Sequence, residues 1–182
     1  STFAEKLLKK LSLYKLRSKV IISEIKDMQS YSVFGNLQKD KSSIIIFSDP
    51  RSDKIGDRLI HESNHPKILD NFIEINESRY HEILMKNMVP LSHFDLQENK
   101  SLLLENNFEN LNSISWDKGC YIGQEITARM KYRALLKKRI FTLVIKEGLP
   151  EVNQLIKENE IEFGKIISIE NKSLLAILKI EV

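Results

Sequence analysis

Residues 116–129 read Trp, Asp, Lys, Gly, Cys, Tyr, Ile, Gly, Gln, Glu, Ile, Thr, Ala, Arg, and bring a thiol, an ammonium, a guanidinium, an amide and carboxylates into one short stretch. Gly119 and Gly123 bracket Cys120 and Tyr121, which lets the backbone turn tightly and approach a ligand. From Gln124 to Tyr132 the pattern predicts a helix. A cysteine just ahead of a helix start and two residues from Lys118 sits where amide dipoles and an ammonium both favour the thiolate. Cys120 is therefore the candidate reactive group, with Lys118 as its activating neighbour. A lone cysteine is more commonly a small buried hydrophobe. The polar and charged residues around this one do not suit an apolar core.

The elements that must position this stretch belong to a chain of 182 residues, 42% hydrophobic and 29% charged, which suits one large domain or one domain with a smaller companion. A formal charge of only +3 gives little whole-molecule attraction to nucleic acid, so an anion site must be local. The single cysteine excludes an internal disulfide and any closed metal site built from this chain's thiolates alone. Apolar runs such as 44–47 are far shorter than the ~20 residues of a membrane span. The first ten residues alternate apolar and charged positions, unlike a secretory signal. These features suit a reducing compartment, and a cytoplasmic location is the expectation.

Thr2 and Glu5 form a capping-box pattern, and Phe3, Leu7, Leu11 and Tyr14 recur at helical spacing, predicting a helix to about Leu13. Lys6, Lys9 and Lys10 on it read as a solvated face. Residues 19–25, 31–37, 43–47 and 57–61 read as strands, the first three antiparallel, with a polar loop at 64–66. A second helix starts at Asn76, presents Tyr80, Ile83, Leu84 and Met88, and stops before Pro90. A loop-rich stretch to Trp116 follows. Beyond the central helix, strands are expected at 139–146, 160–170 and 173–181, with a turn at Gly148, Leu149 and Pro150. That pattern predicts a small β-barrel or sandwich from about Lys137.

The run Lys118-Gly119-Cys120-Tyr121-Ile122-Gly123-Gln124-Glu125 resembles the signature of the YgfZ family, folate-binding proteins related to the aminomethyltransferase (T-protein) of the glycine cleavage system. Leu104-Glu105-Asn106-Asn107-Phe108 is similar to the family's Pro-x-Glu-x-Asn-Leu stretch, with Glu105 and Asn107 on the matching positions. Thr127-Ala128-Arg129, Arg133 and Lys138-Arg139 follow its basic continuation. Asp49-Pro50-Arg51 with Gly56 and Arg58, and residues 13–17 with Lys19-Val20, resemble further family segments. Leu103, Asn112-Ser113 and Ala134 depart from the pattern where the family has Pro, Gly-Gly and Gly. The family also has about one more domain's worth of chain before this region, so the sequence is expected to be a fragment or a natural truncation, with the non-Met start favouring a fragment.

The resemblance implies an α+β fold: a T-protein-like folate-binding body, incomplete at its N-terminus, over residues 1–136, then a small C-terminal β-barrel over 137–182. It implies a folate-binding accessory protein for iron-sulfur cluster assembly or repair, supporting tRNA modification by cluster-dependent enzymes, with tetrahydrofolate or a derivative as cofactor. A reduced folate needs a carboxylate for its pterin edge, an apolar wall and cations for its glutamate tail. Glu105 is the candidate for the pterin edge, with Asn107, Tyr121, Gln124, Glu125, Arg129 and Arg133 completing the site. Arg129, Lys131, Arg133, Lys137, Lys138 and Arg139 could hold the tail, contact tRNA or be simply solvated. Three rivals are weighed: an aminomethyltransferase-type enzyme, a cysteine hydrolase pairing Cys120 with His61, His65, His81 or His93, and an RNA-binding module stacking bases on Trp116, Tyr121 or Tyr132.

Overall fold

The computed structural model describes residues 2–35, 37, 45–62, 66–133 and 135–180. Asn36, Ser43, Ile44, Asn64, His65, Ala134 and Glu181, on which several expectations fall, lie outside the described residues.

Helix α1 spans Thr2–Tyr14, as its apolar spacing predicts. The strand expected over 19–25 is not one: among the described residues it pairs with nothing. Its run of Val and Ile suits a ladder, but β propensity becomes a strand only where a neighbour supplies hydrogen bonds. Strands β1 (Gln29–Val33), β2 (Ile45–Ser48) and β3 (Asp57–His61) make an antiparallel sheet in the order β1-β3-β2. Val33, Leu59 and Leu69 form its buried core, with Tyr31, Ile46, Ile68 and Phe72 packed around them.

Helix α2 (Glu77–Lys86) begins where Asn76 accepts the Arg79 amide on its side-chain oxygen at 2.8 Å, relieving one of the unpaired donors of the first turn. It serves two cores. Leu84 packs with Ile55, Val89 and Leu111, while Met85 packs with Ile140 and Leu175. The second of these lies on the C-terminal sheet, made of β4 (Lys138–Val144), β5 (Leu155–Glu158), β6 (Ile161–Glu170) and β7 (Ser173–Lys179). Its order is β4-β7-β6-β5, all antiparallel. The Thr142 hydroxyl donates to the Met85 carbonyl, stitching sheet to helix.

The expected C-terminal β-barrel is therefore corrected to an open sheet. β4 and β5 stand at opposite edges, and no hydrogen bonds join them among the described residues. Closure needs more strands with a fixed tilt and stagger; here α2 covers one face instead. β5 is an element the sequence reading missed, because Leu155 to Glu158 alternates poorly and is only four residues long. Between α2 and β4 lie a turn-rich stretch and helix α3 (Gln124–Tyr132), whose bounds match the prediction.

Candidate functional site

Gly123 has φ +89°, the left-handed region, and caps α3 without a side chain. Gln124 Oε1 accepts the Tyr121 amide at 3.2 Å, and the Gln124 amide donates to the Tyr121 carbonyl at 3.1 Å. The signature loop is thus folded back on its own helix start. Cys120 is held at its crest and is exposed. Gly119 has an ordinary φ, and a Cβ there would meet nothing within 4 Å. The sulfur is accordingly open to an approaching molecule. Lys118, expected to face the thiol, instead places its Nζ 4.5 Å from the Tyr121 ring centroid, a cation-π contact.

The basic run does not present six free charges. Arg129 is paired with Glu125 one turn earlier on α3. Lys131 donates to Glu109, which also accepts the Trp116 indole N–H at 3.1 Å. Lys131 Nζ lies 4.0 Å above the Trp116 ring, and Tyr132 meets that ring edge-on at 5.8 Å. Two of the six cations are thus matched by acids, which lowers the local cationic field below the sequence count. Arg133 and Lys137 stay exposed. Arg139 is half-buried, with its Nε unpartnered.

Glu105 lies elsewhere, on a cleft of about 340 Å³ between residues 94–105 and the C-terminal sheet. Phe94, Ile166 and Ile177 supply apolar wall; Lys100, Lys138 and Lys165 line it as cations. The backbone carbonyl of Glu105 accepts the Ile140 amide at 2.7 Å, fixing the loop to the edge of β4. Burial raises the Glu105 carboxyl pKa above its ordinary value, and nearby Lys138 pulls it the other way. A half-buried carboxylate beside apolar walls and lysines can accept hydrogen bonds from an amide or amino edge and hold an anionic tail. The donor set fits a pterin, and the volume falls within the usual range for ligand pockets of roughly 300–1,000 Å³.

The expected site residues do not converge. Cys120, Tyr121, Gln124 and Glu125 shape the signature loop, whereas no residue of 118–133 lines the Glu105 cleft. Asn107 is buried with φ +69°. It donates to the Met88 carbonyl at 3.1 Å and accepts from Asn110 at 2.8 Å, tying the loop behind the cleft to the end of α2. Lys100, Lys165 and Phe94 were missed, because a lone Lys or Phe in a turn-rich stretch carries no spacing signal. Of the described histidines, His81 lies 3.4 Å from Glu77 and 3.8 Å from Glu170, lining a second cavity of about 130 Å³. Phe94 and Asp95 line both cavities. The His93 ring lies 4.1 Å from that of Phe94, tilted by 43°.

In sequence, the chain is similar to iron-sulfur cluster assembly factors. Those relatives are the mitochondrial assembly factor IBA57 and its homologues. The chain is 30% identical over 163 residues to the Dictyostelium discoideum homologue, covering 80% of this chain and 40% of that one. It is 29% identical to the Mus musculus protein and 30% identical to the Homo sapiens protein, each over 154 residues covering 79% of this chain and 43% of the relative. The chain thus spans about two fifths of the length of the curated relatives it matches. No family model matches it. The expectation of a cytoplasmic location is overturned, because these relatives are named as mitochondrial proteins. A reduced thiol indicates a reducing compartment and does not by itself distinguish among them.

Proposed function

We propose that this chain acts in iron-sulfur cluster assembly in the mitochondrion, as a folate-binding accessory protein of the YgfZ type. Homology to IBA57 assembly factors over four fifths of the chain supports the first part. The observation that carries folate binding is the half-buried Glu105 in a cleft with lysines and an aromatic wall. Glu105 takes the pterin edge; Lys100, Lys138 and Lys165 attract the glutamate tail. Cys120 serves as the thiol that contacts a cluster or its donor, with cluster proteins as partners and the cluster as cargo. Support for tRNA modification follows as a downstream effect on cluster-dependent enzymes.

Titration calorimetry with tetrahydrofolate on this chain and on Glu105→Ala tests the reading. A hydrogen-bonded charged group contributes about 1.5–3 kcal/mol, so the variant should bind at least 10-fold more weakly. Equal binding by both proteins, or none by the parent, removes Glu105 and the cleft from the reading.

A further inference from the structure

The smaller cavity, about 130 Å³ between α2 and β6, has a chemistry of its own. Met85, Val89 and Ile169 give it apolar wall, while Asp95, Ser168, Glu170 and His81 bring polar atoms to it. Among the described residues no lysine or arginine lines it, in contrast to the Glu105 cleft with its three lysines.

Ser168 is delivered there by an irregularity in the sheet. The register of β6 on β7 shifts between Ile166, opposite Ala176, and Ser168, opposite Leu175, so Ile167 is an extra residue in the strand. Leu175 packs in one core with Met85 of α2. Cross-strand partners project to the same face, so the bulge turns Ser168 toward the helix and the cavity. Its Oγ is buried and has no hydrogen-bond partner among the described residues. Buried hydroxyls are nearly always bonded, and an orphaned one on a cavity wall points to a group that the cavity receives.

The neighbours say which kind of group. Asp95 is buried and accepts the Leu91 amide on Oδ2 at 2.5 Å; its second carboxylate oxygen adds further acceptor sites. Glu170 accepts the Ser78 hydroxyl on Oε1 at 2.5 Å, while its Oε2 stands 3.8 Å from His81 Nδ1, beyond hydrogen-bond length. Two carboxylates and a hydroxyl thus offer three acceptors, and an ammonium has three donors and no acceptor. A carboxylate or phosphate ligand would meet like charge. For size, an apolar cavity of about 150 Å³ holds a benzene molecule, about six heavy atoms.

We propose that this cavity binds a primary alkylammonium of about six non-hydrogen atoms. Its nitrogen donates to Asp95, Glu170 and Ser168, and its chain lies along Met85, Val89 and Ile169. A free amine and a lysine side chain of another protein share this chemistry. The site goes beyond the folate reading: Glu105, Lys100, Lys138 and Lys165 do not line it, so a failed folate titration leaves it standing.

The test titrates n-pentylammonium into the chain while the Met85 methyl resonance is followed, with 1-pentanol and pentanoate as the neutral and anionic counterparts. A saturable shift is expected at Met85 and not at Met130, which lines neither cavity. The amine should bind about 10-fold or more tighter than the alcohol, and pentanoate should not bind. Asp95→Asn, which keeps an oxygen for the Leu91 amide, should weaken the amine by about 10-fold. Ser168→Ala should weaken it about threefold or more without lowering the melting midpoint, since that hydroxyl has no partner to lose. A matching Met85 shift with Nα-acetyl-lysine N-methylamide assigns the amine to a protein lysine; its absence beside a pentylammonium shift assigns it to a free amine. No shift at Met85, an alcohol that binds as tightly as the amine, or unchanged binding in Ser168→Ala overturns the proposal.

Discussion

Asp49 offers the sharpest test of how the N-terminal sheet is joined to α2. Its carboxylate is buried and accepts four hydrogen bonds: from the Arg51 amide, Nε and a terminal nitrogen at 3.1, 2.9 and 2.8 Å, and from Arg58 Nε at 2.9 Å. Arg58 reaches on to the Tyr80 hydroxyl at 2.6 Å, linking β3 to α2. The Arg51 hydrogen bond holds the carboxyl well below the usual carboxylate range; burial opposes this and Arg58 adds to it. Asp49→Ala strands both guanidinium groups. Breaking a fully buried pair costs roughly 3–5 kcal/mol. Here the arginine side chains are 29% and 22% exposed, so water recovers part of that, and a loss of about 2–3 kcal/mol is expected. In urea, with a slope of about 2 kcal/mol/M, the midpoint should fall by roughly 1–1.5 M. The sign with pH follows from a folded pKa below the unfolded value of about 3.9. The stabilisation is fully present above that value and is lost as pH falls below it. The gap between parent and variant should therefore be constant from pH 7 to 5 and narrow toward pH 2. A loss under 0.5 kcal/mol, or a gap that widens in acid, would refute the clamp.

Three further outcomes follow from the geometry. Gly56 has φ +82°, and a Cβ there would sit 2.6 Å from the Val33 carbonyl oxygen; Gly56→Ala should cost at least 2 kcal/mol in urea unfolding, through clash and strain together. In the signature loop, Gly119→Ala should leave stability within about 0.5 kcal/mol of the parent, while Gly123→Ala, at φ +89°, should cost about 1 kcal/mol; equal effects would contradict the loop conformation. Cys120 in the folded chain should alkylate within about threefold of its rate in denaturant at the same pH, as its exposure requires. Protection beyond tenfold would mean the sulfur is covered.

Much of the local structure was legible in the sequence. The periodicity of α1, the Asn76 cap of α2 and the glycine before α3 each encode an element through short-range geometry, and all three were located to within a residue or two. The 20–25 segment misled because strand composition specifies a preference for pairing, not a partner. The C-terminal sheet was legible as strands but not as an open layer, because whether a sheet closes depends on what covers it, here Met85 and its neighbours on α2. In the candidate site, the exposure of Cys120 agreed with its polar flanks. The cleft around Glu105 did not read out, since Lys100, Lys138 and Lys165 come from a turn and two different strands and meet only in three dimensions.

Phe94 is shared: its side chain borders both the Glu105 cleft and the smaller cavity around His81. Asp95, buried beside it, borders both as well. Truncating that ring, as in Phe94→Ala, therefore removes wall from both cavities at once.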